Sequence, residues 1–305
     1  MSLDHRQLRA FLQIAELGSL GRAAKAINLT QPALSRLTRE LERTCGLALF
    51  ERHPLGMRLT EAGEALVPYA RSILHDISRA EETIAELRGT GKGVVRVGAI
   101  AGVARQFVPR AVKSVLDGGT ELKIHVLEGS GGELAAALAD GSIDIAIGHD
   151  GLEDDEVAKL RDTGYSEDCS VVCSTTHPLA GTSPCSLDAV LSARWVLPGP
   201  GTTPRRLLED AVRGSGRRMP SPVVETSSPS AVAAFVRRSL LLGWLPHSLY
   251  ADEEEAGQIC ALDVPDLASH RRYYIYKRRR GVLSPAAAAF LSELDMRGQG
   301  LMAPT

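Results

Sequence analysis

Aromatic side chains are scarce in this sequence. Phe, Tyr and Trp together make up 4% of it, which argues against a stacking platform for single-stranded nucleic acid. The five cysteines (Cys45, Cys169, Cys173, Cys185, Cys260) are odd in number and contain no C-x-x-C. They read as reduced thiols rather than a disulfide framework or a zinc site. No apolar run approaches the roughly 18 residues that span a bilayer. The opening MSLDHRQLRAFLQ carries charge where a secretory signal has its apolar core. A cytoplasmic protein without a membrane partner is expected. Neither G-x-S-x-G nor H-E-x-x-H occurs, and the eight histidines are scattered. GPGTTP, residues 199 to 204, lacks the Lys-Ser/Thr pair of a phosphate-binding loop. No catalytic residues, metal or cofactor are expected, although side chains that converge only on folding leave an enzyme conceivable.

Charge is near balance overall but uneven along the chain. The formal net charge is −2, yet residues 20 to 58 hold seven Lys/Arg (Arg22, Lys25, Arg36, Arg39, Arg43, Arg52, Arg58) against three Glu. A local excess of four positive charges on a near-neutral chain fits contact with a polyanion.

The same segment has a helical pattern. Leu8, Phe11, Leu12 and Ala15 mark one buried face of a first helix. A short second helix follows Gly18-Ser19 and carries Ala23, Ala24 and Ala26. The chain breaks at Asn28 to Thr30. Thr30 can cap a third helix, with Pro32 in the first turn, where proline costs no hydrogen bond. Leu34, Leu37 and Leu41 then line its back, leaving Gln31, Ser35, Arg36 and Arg39 on the other side. Such a pattern is either an ordinary helical hairpin or a helix-turn-helix whose second helix offers Gln, Ser and Arg to the major groove. LFERHPLGMRLTEAG, residues 49 to 63, favours the second: a Pro/Gly turn between two short runs predicts a wing, placing Arg52 and Arg58 against the DNA backbone or minor groove.

From about residue 60 to 87 one long helix is expected. Leu66, Ala70, Ile73, Ile77, Ala80, Ile84 and Leu87 alternate steps of four and three. A seam of this kind packs on its own domain or joins two copies; its polar flanks favour a dimer. Gly89 to Gly93 reads as a flexible hinge. Strand-like VVRVGAI, LKIHVLEG and IDIAIG then alternate with helix-like segments, and a second α/β unit starts near Tyr165. YYIYK and SPAAAAFLSELDM are expected to return the chain to the first unit. Cys169 and Cys173, four apart in a strand-like run, would share a face; half-buried thiols are the expectation and a redox pair the alternative. KRRR, residues 277 to 280, reads as a solvated edge.

LRAFLQIAELGSLGRAAKAINLTQPALSRLTRELE, LFERHPLGMRLTEAG and HPLAG together make the chain similar to LysR-type transcriptional regulators over nearly its full length. The resemblance implies an α/β fold with an all-α-rich head. Residues 1 to 60 would form a winged helix-turn-helix and 61 to 88 a linker helix. After the hinge at 89 to 93, residues 94 to 300 would form an effector domain like a periplasmic binding protein. Its lobe I would comprise 94 to 164 and 269 to 297, and its lobe II 165 to 268. The resemblance also implies a DNA-binding regulator, not an enzyme, gated by a small molecule between the lobes. Its partners would be double-stranded promoter DNA, a second copy or tetramer, and RNA polymerase. The DNA-contacting positions carry over to Thr30, Gln31, Pro32, Ser35 and Arg36, with Arg52 on the wing. For the effector, the matching stretch after the first strand is Ala99, Ile100, Ala101 and Gly102, which lacks the family's hydroxyl. Gly129, Ser130 and His149 follow the next two strands, and Pro200, Thr202, Thr203, Ser227 and Ser228 are the candidates of lobe II. A solute-binding protein built from residues 94 to 297 alone is the rival reading, and it leaves the basic head without a role.

Overall fold

A computed structural model describes residues 3–54, 56–119 and 121–297. The head opens with α1 (His5–Leu17), capped by Asp4, which accepts from the Arg6 N–H, and closed by left-handed Gly18. The short α2 (Leu20–Ala26) follows, then α3 (Gln31–Cys45), whose cap Thr30 accepts from the Ala33 N–H. Between them Asn28 has φ 55°. Asn is one of the few non-glycine residues that enter this region readily, so the turn the sequence breaks at is made by that side chain type. Leu8, Phe11, Ile14, Ala23, Leu34 and Leu41 form the core of the head.

The wing is the antiparallel pair β1 (Phe50–His53) and β2 (Gly56–Leu59). It is fixed to the head where the Met57 N–H donates to the Gly18 carbonyl at 2.8 Å. Gly56 sits against that same carbonyl: a Cβ there would lie 2.2 Å from the Gly18 oxygen, at a φ of 132° that only glycine tolerates.

The linker α4 (Glu61–Leu87) is capped by Thr60, in agreement with the expected span. The expected seam divides along it. Leu66 and Ala70 pack into the core of their own head, while Ile73, Ala80, Ile84 and Leu87 stay exposed and Ile77 is half-buried. A third face, about a quarter turn around the helix, docks on the effector domain through polar groups. His75 Nδ1–H donates to the Asp140 carbonyl, and Arg79 Nη2 donates to the Gly141 and Ile143 carbonyls at 2.9 and 2.8 Å. Arg79 also pairs with Asp144 at 2.9 Å. Glu82 grips both terminal nitrogens of Arg96 at 2.6 and 3.0 Å. That contact holds the Glu82 carboxyl below its ordinary range. Arg278 binds Ser72 and Asp76, each at 2.6 Å. The KRRR run is therefore no simple solvated edge. Arg278 is drawn in as a clamp on the linker, and Arg279 donates to the Asp154 and Val157 carbonyls. The expected flexible hinge is also corrected. Thr90 donates from its N–H and hydroxyl to the Ala85 carbonyl, and buried Gly93 already begins the next strand.

The effector domain contains β3 (Gly93–Ala99), α5 (Ala101–Asp117), β4 (Leu122–Glu128), α6 (Gly131–Ala139) and β5 (Ile145–His149). The long β6 (Val157–Ser174) leads to α7 (Leu187–Ser192), β7 (Arg194–Leu197), α8 (Thr203–Gly214), β8 (Val224–Glu225), α9 (Pro229–Arg238) and β9 (Leu241–Pro246). A 3-10 turn at His247–Leu249, α10 (Ala251–Glu255), β10 (Ile259–Leu262), a second 3-10 turn at Pro265–Leu267, β11 (Ser269–Arg278) and α11 (Pro285–Arg297) follow. The strands run β4-β3-β5-β11-β6-β9-β7-β8, with β10 on β6. β4, β3 and β5 are parallel neighbours, as are β9, β7 and β8, so each lobe has its own parallel unit with helices against it. β6 and β11 are antiparallel and connect the two. As expected, α11 returns to lobe I, burying Ala287 and Phe290 beside Phe107 and Val108. Tyr165, expected to open lobe II, packs instead in the lobe I core against Phe107 and Tyr273. The lobe II core takes over from Cys169.

Arg79 and Asp144 form a largely buried pair, with side chains 14% and 3% exposed. Removing one partner strands the other. Arg79→Met is expected to cost about 3 kcal/mol in chemical denaturation. Adding Asp144→Asn should recover part of that loss, because the stranded charge is then gone.

Candidate DNA interface and effector site

α3 presents its first two turns outward. Gln31, Pro32 and Arg36 are exposed and Ser35 is half-buried, while Leu34 and Thr38 face the core. Thr38 donates its hydroxyl to the Leu34 carbonyl, which satisfies that buried group within the helix. Arg36 reaches only a loose contact with Glu40 at 4.0 Å, its side chain 75% exposed. An exposed ion pair of this geometry is weak and leaves the guanidinium available for a base edge or phosphate.

The wing separates the two arginines expected on it. Arg52 lies opposite Met57 and Arg58 opposite Glu51. Alternation in a strand therefore puts Arg52 and Arg58 on opposite faces of the ribbon, and a DNA backbone lying along one face meets one of them. Arg52 is nearer the tip, and Arg58 has an acidic cross-strand neighbour.

The candidate effector residues fall into two groups. Ala99, Ile100, Gly129 and His149 converge at the ends of the parallel strands of lobe I, where the Gly129 N–H donates to Ala99 and the Ile100 N–H to Ile147. Pro200, Thr202, Thr203, Ser227 and Ser228 lie at the equivalent strand ends of lobe II. Most hydroxyls among them are committed to local structure. Ser130 forms a capping box with Glu133, Thr202 donates to the Gly199 carbonyl, and Ser228 accepts from the Ala231 N–H.

The lobes meet elsewhere, at residues the sequence reading did not single out. The start of α5 packs on the His247–Leu249 turn so closely that a Cβ on Gly102 would lie 2.4 Å from Ser248 Oγ and 3.4 Å from Glu167 Oε1. At Gly102 the missing side chain is thus a packing requirement. Glu167, 7% exposed, accepts from the Ser248 N–H at 2.7 Å, the Ser248 hydroxyl at 3.0 Å and the Tyr273 hydroxyl at 2.5 Å. Burial and the adjacent Glu167 push the Tyr273 phenol upward, so it remains a donor. Arg105 ties the same seam from α5, donating to the Leu249 carbonyl, Asp252 and Glu253. The strand alternation could have disclosed Glu167, because Tyr165, Glu167, Cys169 and Val171 share one inward face and one of them is charged.

Cys169 and Cys173 are fully buried rather than half-buried, and Cys173 has the sulfur of Cys260, its antiparallel partner, at 3.6 Å. Burial pushes the Cys169 thiol up to about 12 and raises Cys173 and Cys185 as well. Protonated, shielded thiols react slowly. In the native protein at pH 8, a thiol-specific chromogenic reagent should leave Cys169, Cys173 and Cys185 unmodified. All three should react on unfolding, and rapid native labelling of Cys169 would contradict this account.

No helix among the described residues is long and apolar enough to cross a membrane, and no group of His, Cys, Asp and Glu among them could hold a metal ion. Residues 5–64 match the family model for the bacterial regulatory helix-turn-helix protein, lysR family, and residues 88–298 match the LysR substrate binding domain. The RuBisCO operon transcriptional regulator of Allochromatium vinosum is 31% identical over 292 residues, covering 95% of either chain. The SDS degradation transcriptional activation protein of a Pseudomonas species is 32% identical over 298 residues, covering 94% of either chain. The structure of full-length CbnR complexed with its target DNA shares the fold, with a TM-score of 0.72 at 19% identity, covering 96% of this chain and 99% of that one. The chain belongs to the LysR family of DNA-binding transcription regulators.

Proposed function

We propose that this regulator reads a two-fold operator as a dimer and changes its grip on that site when a small molecule binds between its lobes. Base readout falls to Gln31, Ser35 and Arg36, with Thr30 and Pro32 shaping the helix start and Arg52 positioning the head on the backbone. The observation that carries this reading is the outward-facing start of α3 beside a wing fixed to Gly18. Gln pairs with adenine and Arg with guanine in the major groove.

The dimer reading is supported by the unpartnered apolar stripe of α4, in which Tyr69 is 69%, Ile84 50% and Leu87 79% exposed. An apolar stripe on a long helix is the seam that a second copy covers. The gating reading is supported by the Arg79, Arg96 and Arg278 contacts, which make the linker an extension of lobe I, while Glu167 and Arg105 bind lobe I to lobe II. A ligand that alters the seam therefore pushes on the helix that carries the heads, provided it binds one arrangement better than another. Recruitment of RNA polymerase would follow from a changed spacing or bend of the bound promoter. The two relatives named above are a regulator of a RuBisCO operon and an activator of SDS degradation, at nearly equal identity, so neither hands its signal to this chain.

Selection from a genomic fragment library by the purified full-length protein at moderate salt should enrich an interrupted palindrome. Retention without enrichment would reject specific readout. On the enriched site Arg36→Ala should lose about 1–3 kcal/mol of specific binding and relax one base position. Arg52→Ala should weaken all sequences alike and lower the salt slope by about one. Equal losses for Arg36→Ala on specific and random DNA would remove its base-reading role. Leu87→Asp should shift the sedimentation of the protein toward monomer without unfolding the lobes, and an unchanged oligomer would place the interface elsewhere.

A further inference from the structure

The inward face of the sheet at the seam between the lobes carries a cation, Arg271, two of whose three guanidinium nitrogens lack a hydrogen-bond partner among the described residues. Strand registry places Arg271 opposite Glu167, Tyr273 opposite His149 and Ser269 opposite Cys169, so these side chains share a face. The Arg271 guanidinium lies 4.8 Å from the centre of the Trp244 ring. Its Nε and Nη2 are shielded from solvent and have no hydrogen-bond partner among the described residues. Glu167, its cross-strand neighbour, is turned to Ser248 and Tyr273 and forms no ion pair with it.

Those two nitrogens are the pair on one edge of a guanidinium, whose N–H bonds run parallel. That edge matches the two oxygens of a carboxylate. Buried donors without an acceptor are costly and uncommon. Two on the same edge, in a seam between lobes, form the half of a bidentate contact that a ligand completes. The start of α5, the other conceivable anion site, is closed: Gly102 faces Ser248 Oγ, with the Glu167 carboxyl next to it. His149 brings no rival positive charge, because burial, with the Arg271 charge adding to it, holds its ring below the ordinary range. Its Nδ1–H is already given to the Asp150 carbonyl.

We propose that Arg271 anchors the effector, its Nε–Nη2 edge gripping the carboxylate of a small monocarboxylic acid. A second negative charge on the ligand would face Glu167 across the ladder, which disfavours dicarboxylates. Because the edge is shielded, a ligand reaches it only when the packing around Arg271 opens. The proposal rests on the effector-gated reading above, and it names the chemistry that reading leaves open.

The test is isothermal titration calorimetry of the full-length protein, without DNA, using acetate, benzoate and succinate, each beside its neutral amide. One of the two monocarboxylates should bind, its amide and succinate each at least tenfold more weakly. Arg271→Lys, which keeps the charge and loses the fork, should weaken that binding about tenfold. Arg271→Gln should weaken it by about a hundredfold, the range expected for charged hydrogen bonds. Removing donors that lack acceptors should leave the thermal midpoint of Arg271→Gln unchanged or higher. A purely structural role on Trp244 would lower that midpoint and leave ligand preference in Arg271→Lys untouched. Absence of carboxylate binding, equal binding of acid and amide, or full binding by Arg271→Lys would overturn the proposal. Operator selection is measured without any carboxylate and fails or succeeds separately. Carboxylate binding that leaves operator affinity and bending unchanged would keep Arg271 as an anchor and remove the gating.

Discussion

Everything that distinguishes this molecule from two domains on a string depends on how α4 is held against lobe I. The contact is polar and geometrically demanding. One guanidinium, Arg79, reaches two main-chain carbonyls and the Asp144 carboxylate, and Asp144 also accepts the Arg96 N–H at 2.7 Å. Arg96 in turn reaches back to Glu82 on the helix. An apolar face tolerates sliding, because burial is nearly indifferent to register. A set of charged hydrogen bonds has one register, and displacement leaves buried groups without partners. The helix direction is thereby specified, and with it the direction in which the head is offered.

The head is built on the same economy of tolerance. Asn28 makes the turn before α3, Thr30 caps it, and Gly18 both ends α1 and receives the Met57 N–H from the wing. Recognition helix and wing are thus referenced to one short stretch of backbone. Residues on the outward face of α3 are free to vary in kind, since Gln31 and Arg36 carry little of the packing. Residues that face the core are not.

Local elements were legible in the sequence because their signals are local. The cap at Thr30, the Pro/Gly turn of the wing, the long helix and the alternation of strands and helices all rest on spacing within a few turns. What the sequence hid depends on contacts distant along the chain. Leu66 and Ala70 fit a heptad, but the head comes round to cover them, so two of the seven expected seam residues are intramolecular. Arg278 looks solvated until it is placed more than 200 residues away against Ser72 and Asp76. Candidate hydroxyls at strand ends satisfied a positional rule, yet Ser130 and Ser228 spend theirs on helix caps. Glu167, Tyr273 and Arg271 come from two distant strands, and only the pairing of β6 with β11 sets them on one face, which Ser248 reaches from the 3-10 turn.

That pairing has a mechanical consequence. The lobes are joined by two hydrogen-bonded strands, one of which, β6, runs on through both cores, with Tyr165 in one core and Cys169 in the other. A joint of this kind behaves as a leaf spring. It twists and flexes with a restoring torque, where a pair of loose loops would swing freely. Any relative movement of the lobes would therefore work against that torque. The work against that torque must come out of whatever binds at the seam, so a ligand's measured affinity would understate the strength of its contacts by the energy held in the bent ribbon.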